Sequence, residues 1–430
     1  MSFAKKFSLT FLANLIMIVA GVLNYIVIVR TTGAQGQGLF TLVITSLTMA
    51  MVLLGGGALL ETNRYLANKY KQKLHILFST TLTFIFGIIV FLLLWWIFFR
   101  TFPFDFFMNK NLACFTLLTI PFFIIQEASK GMLWGLGKIN KHNLINIFRY
   151  VSLLISNVIV LVFLQKTIEV AILGMLVTVV VGAIISILFV FKELGYFNFV
   201  LEKDLFLKLI KTGWRTFVIS ILFILSIRID VYIIKFLSTT SEVGYYSVVA
   251  LIANMVSISP MISGFLLFNR ATDGSGKSIK DTAKLSRICI AYSLCVSLVL
   301  LLLGKHLIIF LLGEEFIKSY ICLIYYLPAL IFQNLFFVIS MYICGSEGFP
   351  VFNILSIGIS LIINIWLNLV LIPILGINGA AISASVAIVI KTIMNIYYFN
   401  LKAKLKLSQI LFLKKQDLID LTQKFGLRLT

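Results

Sequence analysis

Long apolar segments follow one another along almost the whole chain. A helix needs about 20 mostly apolar residues to cross the roughly 30 Å hydrocarbon layer of a bilayer. Twelve segments meet this length: 7–30, 38–62, 74–99, 111–136, 143–165, 168–191, 209–236, 243–268, 285–304, 319–343, 351–373 and 377–401. The segments are continuous rather than alternating, which excludes a transmembrane β-barrel. With 60% hydrophobic and only 12% charged residues, the chain is predicted to be an all-α polytopic membrane protein, not a disordered chain, a disulfide scaffold or an ordinary soluble enzyme.

The basic residues are distributed unevenly between the two sides of these segments. The chain has 36 Lys and Arg against 16 Asp and Glu, a net charge of +20. With a cytoplasmic N-terminus, 24 of the 36 fall in cytoplasmic segments, 7 on the opposite side and 5 inside spans. Because cytoplasmic loops collect Lys and Arg, we expect a multi-pass protein of the bacterial inner membrane, with both termini cytoplasmic and an uncleaved first span. The charge therefore indicates topology rather than nucleic-acid binding.

Cysteine and histidine give no sign of a metal or redox site. The five cysteines form no CxxC pair and lie in or beside apolar stretches, where the expected role is that of a small buried hydrophobic residue. The three histidines are far apart and near loop ends. The glycines of 33–38 and 55–57 lack the Lys and the strand–turn–helix context of a phosphate loop. We predict no metal and no cofactor.

The two halves of the chain match each other at a nearly constant offset. The matched pairs are Asn24 with Asp230, Gly38 with Gly244 and Asn63-Arg64 with Asn269-Arg270 at an offset of 206, then Pro121 with Pro328, Gln126 with Gln333, Asn146 with Asn353 and Asn157 with Asn364 at 207. Six spans in each half make the repeats parallel, an arrangement typical of transporters that alternate access to a central cavity. The expected organisation is an N-terminal six-helix lobe (1–191), a cytoplasmic linker (192–208), a C-terminal six-helix lobe (209–401) and a basic cytoplasmic amphipathic tail (402–430).

Charged side chains inside the spans are the first candidates for function. Each costs about 2.5–3.5 kcal/mol on insertion scales, so it normally faces a cavity or a partner. Glu127 and Lys130 stand three residues apart and can pair with each other. Arg149 and Lys391 have no acid within one turn, so each either meets an anion in a cavity or extends toward the cytoplasm. The seventh span holds Arg215, Arg228 and Asp230, for which substrate binding and a local packing pair are both open.

Motifs in a fixed order carry a family resemblance. They are Thr32-Gly33 through Gly36-x-Gly38-Leu-Phe40, Ile227-Arg228-Ile-Asp230 through Glu242-Val-Gly244-Tyr245-Tyr246-Ser247, Leu312-Gly313-Glu314-Glu315-Phe316 followed by Leu327-Pro328, and Leu375-Gly376-Ile-Asn378-Gly379-Ala380-Ala381. From about residue 7 to 400 the chain resembles the polysaccharide-transport branch of the multidrug/oligosaccharidyl-lipid/polysaccharide exporter superfamily, and within it the O-antigen flippases. It departs from the family in having no acid in its first two spans other than Glu61.

The resemblance implies a flippase and not an enzyme. It would move an undecaprenyl-diphosphate-linked oligosaccharide, such as an O-antigen repeat unit, from the cytoplasmic to the periplasmic leaflet by alternating access. A cavity rich in Arg would hold the anionic diphosphate. The expected partners are this lipid-linked sugar and membrane lipids, with a proton or sodium ion and the polysaccharide polymerase machinery as further candidates, and no nucleic acid. The expected substrate-binding residues are Arg228, Arg149, Lys391, Arg215, Gln126, Gln333, Asn157 and Asn364, with Asp230 and Glu127 as ion-coupling residues or charge partners.

The sequence is also compatible with other functions. A drug or cation antiporter of the same superfamily would want a cavity dominated by carboxylates, whereas five intramembrane cations here face two clear acids, Glu127 and Asp230. A membrane polymerase or ligase of polysaccharide assembly would resemble proteins with a large basic outer loop, and no outer loop here exceeds about 15 residues. The Asn and Gln side chains of the spans either join helices by hydrogen bonds or line a polar path.

Overall fold

The computed structural model describes residues 3–69, 74–99, 110–195, 198–200, 202–271, 277–347, 351–405, 407–414 and 417, and within these ranges it is almost entirely helical, with no strand. The helices are α1 (Phe3–Leu53), α2 (Gly56–Lys69), α3 (Leu74–Phe99), α4 (Lys110–Gly135), α5 (Ile139–Asn157), α6 (Ile168–Leu194), α7 (Lys203–Leu237), α8 (Thr240–Ala271), α9 (Lys277–Leu312), α10 (Ile317–Glu347), α11 (Val351–Leu375), α12 (Ile377–Ala403) and α13 (Leu407–Leu411). A π-helix (Val158–Phe163) follows α5, and a 3-10 turn (Glu314–Phe316) precedes α10.

Eleven of the described helices are long and apolar enough to cross a membrane. One of them contains two predicted spans, because Leu12–Leu53 extends over 42 residues and breaks at Gly33, whose φ of 63° suits glycine. With this helix counted as two crossings, the structure agrees with the twelve predicted spans, and the all-α polytopic fold is confirmed. The second predicted span is shorter than expected, since the helix stops at Leu53 and Gly55, with a φ of 89°, separates it from α2.

The helices group into two compact units, residues 1–244 and 245–430. The first contains α1 to α7 and the start of α8, and within it α7 packs against α1 and α2. The second contains the remainder of α8 and α9 to α13. The division into lobes at the 192–208 linker stays a prediction.

In the first unit, α4 buries the largest share of any candidate span. It packs tightly against α2 because two glycines one turn apart let the helix backbones approach. A Cβ on Gly131 would lie 2.2 Å from the carbonyl oxygen of Leu60, and a Cβ on Gly135 would lie 2.3 Å from that of Arg64. Small residues at this spacing are typical of close helix pairs in membranes. The contact places Glu127 and Lys130, which precede Gly131 on the same helix, in the interior of the unit.

In the second unit, α10 packs against α9 and α12, and α11 packs against α12. The short α13 closes one end of this core, since Ile410 is fully buried in it. Asp417 accepts two hydrogen bonds from Arg287 of α9, at 2.5 and 2.7 Å. The described part of the predicted amphipathic tail thus packs on protein through Ile410 and Leu411, whereas Leu407 is exposed. The sequence predicted an apolar face of Leu407, Leu411, Leu418, Leu421 and Phe425 for this tail, and the last three lie outside the described residues.

Candidate functional site

A group of charged side chains meets between α4 and α5 in the interior of the first unit. The Oε1 atom of Glu127 lies 2.6 Å from Nζ of Lys130 and 3.3 Å from a guanidinium nitrogen of Arg149. The Glu127 and Lys130 side chains are 11% and 8% exposed, and that of Arg149 is 28% exposed. The predicted pairing of Glu127 with Lys130 is therefore confirmed. Arg149, which has no acid within a turn of its own helix, receives one from α4.

The neighbouring turn of α5 extends this group by hydrogen bonds. Nζ of Lys130 donates to Oδ1 of Asn146 at 3.0 Å, and the amide nitrogen of Asn146 lies 3.1 Å from Nε2 of His142. The ring of His142 packs edge-on against Trp134, 4.7 Å between centroids, and the Arg64 guanidinium stacks 4.3 Å from that indole. A series of contacts thus connects Arg64, through Trp134, His142 and Asn146, to Lys130 and the Glu127 carboxylate.

A further cation, Arg228, approaches the same part of the unit from α7. The Arg149 guanidinium lies 5.4 Å from the centre of the Tyr150 ring, and the Arg228 guanidinium is within electrostatic range of the phenols of Tyr150 and Tyr232. Tyr232 is fixed to α1 because its hydroxyl donates to Oγ of Ser46 at 2.9 Å. Tyr150 therefore brings together the two arginines that the sequence favoured most for substrate binding.

Arg228 differs from Lys130 and Arg149 because one of its guanidinium nitrogens is buried and has no hydrogen-bond partner in the part of the chain that the structure describes. Its Nε is buried without a hydrogen-bond partner among the described residues. Asp230 is 4% exposed and is engaged with other groups of the protein. A buried guanidinium nitrogen without an acceptor is costly unless something else pairs with it. The Arg228 side chain is therefore suited to receive an acceptor from outside the protein.

The remaining polar candidates of the first unit, Asn157 and Gln126, differ in their contacts. Asn157 is fully buried and donates to Oδ1 of Asn24 at 2.7 Å, so it joins α5 to α1 at the start of the π-helix. Gln126 is fully buried, and neither end of its amide has a partner among the described residues. The amide fits because Gly182 of α6 leaves the space, since a Cβ there would lie 2.4 Å from Nε2 of Gln126.

Three of the other residues expected to bind substrate lie in the second unit, and the side chain of the fourth is not among those the structure describes. Lys391 is 4% exposed, and its Nζ lies 4.6 Å from the centre of the Phe336 ring. Asn364 accepts a hydrogen bond from Asn368 at 3.2 Å, one turn along α11. Gln333 is half-buried on α10. The side chain of Arg215, on α7, lies outside the described residues.

Sequence reasoning missed two members of the group, although a signal for them was present. His142 was interpreted as a residue near a loop end and Asn146 as one of several repeat-related amides. His142, Asn146 and Arg149 stand at i, i+4 and i+7, which places them on one face of α5. No group of three His, Cys, Asp or Glu side chains that could hold a metal ion occurs among the described residues.

Comparisons with known proteins agree with this arrangement of helices. A family model described as polysaccharide biosynthesis protein matches residues 3–265, more than half of the chain. No curated protein is close enough in sequence to match. Among solved structures, the lipid II flippase MurJ in an inward closed conformation has a TM-score of 0.77 at 16% identity, over 97% of this chain and 92% of that one.

Two other solved structures show the same fold. An inward-facing multidrug resistance MATE family transporter of the MOP superfamily has a TM-score of 0.68 at 11% identity, covering 90% of this chain and 94% of that one. A MOP superfamily transporter from Pyrococcus furiosus, whose binding pocket is described as having reverse polarity, has a TM-score of 0.59 at 13% identity, covering 93% of each chain. At these identities the likeness concerns the fold alone.

Proposed function

The chain belongs to the polysaccharide biosynthesis protein family, and on that premise we propose that it is a flippase for a polyprenyl-diphosphate-linked oligosaccharide. The cargo would be an undecaprenyl-diphosphate-linked repeat unit of O-antigen or a related polysaccharide, carried from the cytoplasmic to the outer leaflet of a bacterial inner membrane. Both termini would be cytoplasmic, and transport would proceed by alternating access.

The observation that carries the proposal is the surplus of buried and half-buried cationic donors in the first unit. One carboxylate oxygen, Oε1 of Glu127, serves both Lys130 and Arg149. An ammonium has three donors and a guanidinium five, so the Glu127 carboxylate and the Asn146 amide oxygen leave most of them without an acceptor among the described residues. Arg228 adds a buried Nε without a partner among the described residues. A diphosphate has the charge and the acceptor oxygens to satisfy such a set, and arginine matches it in a bidentate geometry.

The division of labour follows from the positions of the side chains. Lys130 and Arg149 would hold the diphosphate on the α4 and α5 side, and Arg228 would meet it from α7. Glu127 would partly neutralise the two nearer cations while no cargo is bound, which reduces the cost of burying them. The polyprenyl chain would stay in the lipid, where its burial costs nothing. Lys391, Gln126, Gln333, Asn157 and Asn364 are proposed to contact the sugar or the headgroup at other stages.

The similarity to known proteins gives independent support for this proposal. The family is described as polysaccharide biosynthesis, and a solved structure of the same fold is named a lipid II flippase. Transporters of multidrug type share the fold as well, so a drug or cation antiporter is the competing function. Against it, Glu127 is already occupied by two cations in the first unit, which leaves that carboxylate poorly placed to bind a cationic drug.

Reconstitution tests the proposal directly. The purified full chain is placed in vesicles that contain a polyprenyl-diphosphate-linked oligosaccharide with a labelled sugar, and transfer between leaflets is followed by access of a sugar-modifying reagent. We expect transfer with the wild-type protein and at least a tenfold slower transfer with Arg149→Ala and Arg228→Ala, while Arg30→Ala, an exposed arginine at a span end, behaves as wild type. Wild-type rates in both variants would remove the main support for the anion site. Proton-driven uptake of a cationic dye, without lipid transfer, would favour the antiporter.

A further inference from the structure

The orientation of the Asn146 side chain is determined by Lys130. The ammonium of lysine has only donors, so the atom of Asn146 that lies 3.0 Å from Nζ must be the amide oxygen. The amide NH₂ then points to the other side, where Nε2 of His142 lies 3.1 Å away. An NH₂ group can only donate, so Nε2 has to be the acceptor. His142 is therefore neutral here and carries its single proton on Nδ1.

The other side of the ring agrees with this tautomer. Nδ1 of His142 lies 3.4 Å from the backbone carbonyl oxygen of Lys130, which can only accept. The imidazole thus links the backbone of Lys130 to the amide that holds the Lys130 side chain. Trp134 fixes the ring by an edge-on contact. The result is a closed loop of contacts in which each donor meets an acceptor.

We infer that His142 and Asn146 act as a positioning relay, which holds the Lys130 ammonium in the anion site only while His142 is neutral. This inference rests on the proposed function, because it concerns the same site. When His142 gains a second proton, Nε2 becomes a donor and faces the NH₂ group of Asn146. The amide then has to rotate, which turns its NH₂ toward Lys130 and removes the acceptor from the ammonium. Lys130 loses its fixed position, and binding of the diphosphate weakens.

The charged groups around His142 are few among the described residues. Lys130 and Glu127 face it from α4, and Arg64 faces it from α2. Glu193 of α6 is engaged by the side chains of Lys138 and Lys141, at 2.8 and 2.6 Å. The relay therefore stands beside two cations and a carboxylate that belongs to the anion site.

One substitution separates the relay from a purely structural role. Gln at position 142 can offer its amide oxygen to Asn146 at every pH, so His142→Gln keeps the acceptor and removes the titration. Asn146→Leu removes the link itself, so Lys130 is unsupported at every pH. His306→Gln is the matched control, because His306 is exposed on α9 in the second unit.

The experiment measures binding of farnesyl diphosphate to the full-length protein in detergent at pH 7.5 and pH 4.0. We expect the affinity of the wild type and of His306→Gln to fall at least twofold more across this range than that of His142→Gln, and about tenfold more once His142 is fully protonated, the size of one lost hydrogen bond to a charged group. Titration of the ligand phosphate affects all proteins equally and cancels in the comparison. Asn146→Leu should bind weakly at both values, with the same small dependence as His142→Gln.

The outcomes distinguish the relay from the function on which it rests. If wild type and His142→Gln bind the diphosphate with the same pH dependence, the relay is overturned and the anion site stands. If no protein binds it at either pH, the proposed anion site fails, and thermal unfolding then decides the relay. In that measurement the relay requires the wild type to lose more stability than His142→Gln between pH 7.5 and pH 4.0, and equal losses overturn it.

Discussion

Gly38 and Gly244, which the repeat pairs at an offset of 206, each lie against the backbone of the segment that carries the other. A Cβ on Gly38 would lie 1.9 Å from the carbonyl oxygen of Thr240, and a Cβ on Gly244 would lie 2.0 Å from that of Ala34. Ala34 and Thr240 are themselves 206 residues apart. The two segments therefore pack backbone to backbone within the first unit.

We expect Gly38→Ala and Gly244→Ala each to reduce the thermal stability of the purified protein. A methyl group at either position would overlap a backbone carbonyl oxygen, so the two segments would have to move apart. Overpacking of this kind lowers the free energy of unfolding by about 1–3 kcal/mol or more. Thermal unfolding in detergent measures the effect, with a shift of several degrees expected. Gly87→Ala and Gly358→Ala are the controls, because no other group of the described residues lies within 4 Å of either Cβ position. Equal melting temperatures for all four would contradict the close contact.

The Glu127 carboxylate should compete with an anionic ligand for the same cations. In Glu127→Gln the donors of Lys130 and Arg149 lose their charged partner, so the unliganded protein is less stable and the diphosphate binds about tenfold more tightly. Binding of farnesyl diphosphate, followed as a thermal shift, tests both effects together. Glu61→Gln is the control, because its ion pair with Arg64 is about half exposed and should contribute little. Weaker binding in Glu127→Gln would show that the carboxylate orients the cations instead.

Arg228 should be needed for transport but not for folding. Its Nε has no partner among the described residues, so replacing the side chain breaks no hydrogen bond at that atom and removes a buried charge. We expect Arg228→Ala to melt within a few degrees of the wild type and to lose at least tenfold in lipid transfer. Arg228→Lys keeps the charge without the bidentate fork and should recover only part of the rate. A large fall in melting temperature would assign Arg228 to packing.

The sequence was informative about elements and short-range pairs, and less so about contacts between helices. Apolar length predicted the spans, and the spacing of three residues predicted the Glu127–Lys130 pair, because both depend on local geometry. The contact of Arg149 with that carboxylate depends on how α4 packs against α5, which no local pattern specifies. The break at Gly55 shortened a span for a similar reason, since an apolar run does not reveal where the backbone takes a positive φ. His142 was missed because its partners come mainly from the tertiary packing of α4.

The ion pair between Arg287 and Asp417 should hold the C-terminal segment against the second unit in a pH-dependent way. The hydrogen bonds from Arg287, more than any other group, lower the pKa of Asp417 below its ordinary value, although burial opposes them. A carboxyl group with a depressed pKa stabilises the folded state above its unfolded pKa, and this contribution is lost as the pH falls through the folded value. The segment should therefore stay docked at neutral pH and detach only below about pH 4.

Asp417→Asn should release the segment at neutral pH, because it leaves the buried Arg287 without a charged partner, a change worth about 3–5 kcal/mol for a buried pair. Limited proteolysis near Lys414 measures the release, with cleavage several-fold faster in Asp417→Asn than in wild type at pH 7. Asp281→Asn, a carboxylate on α9 of the same unit, is the control and should be cut at the wild-type rate. If Asp417→Asn is cut no faster than the wild type, burial of Ile410 alone holds the segment in place.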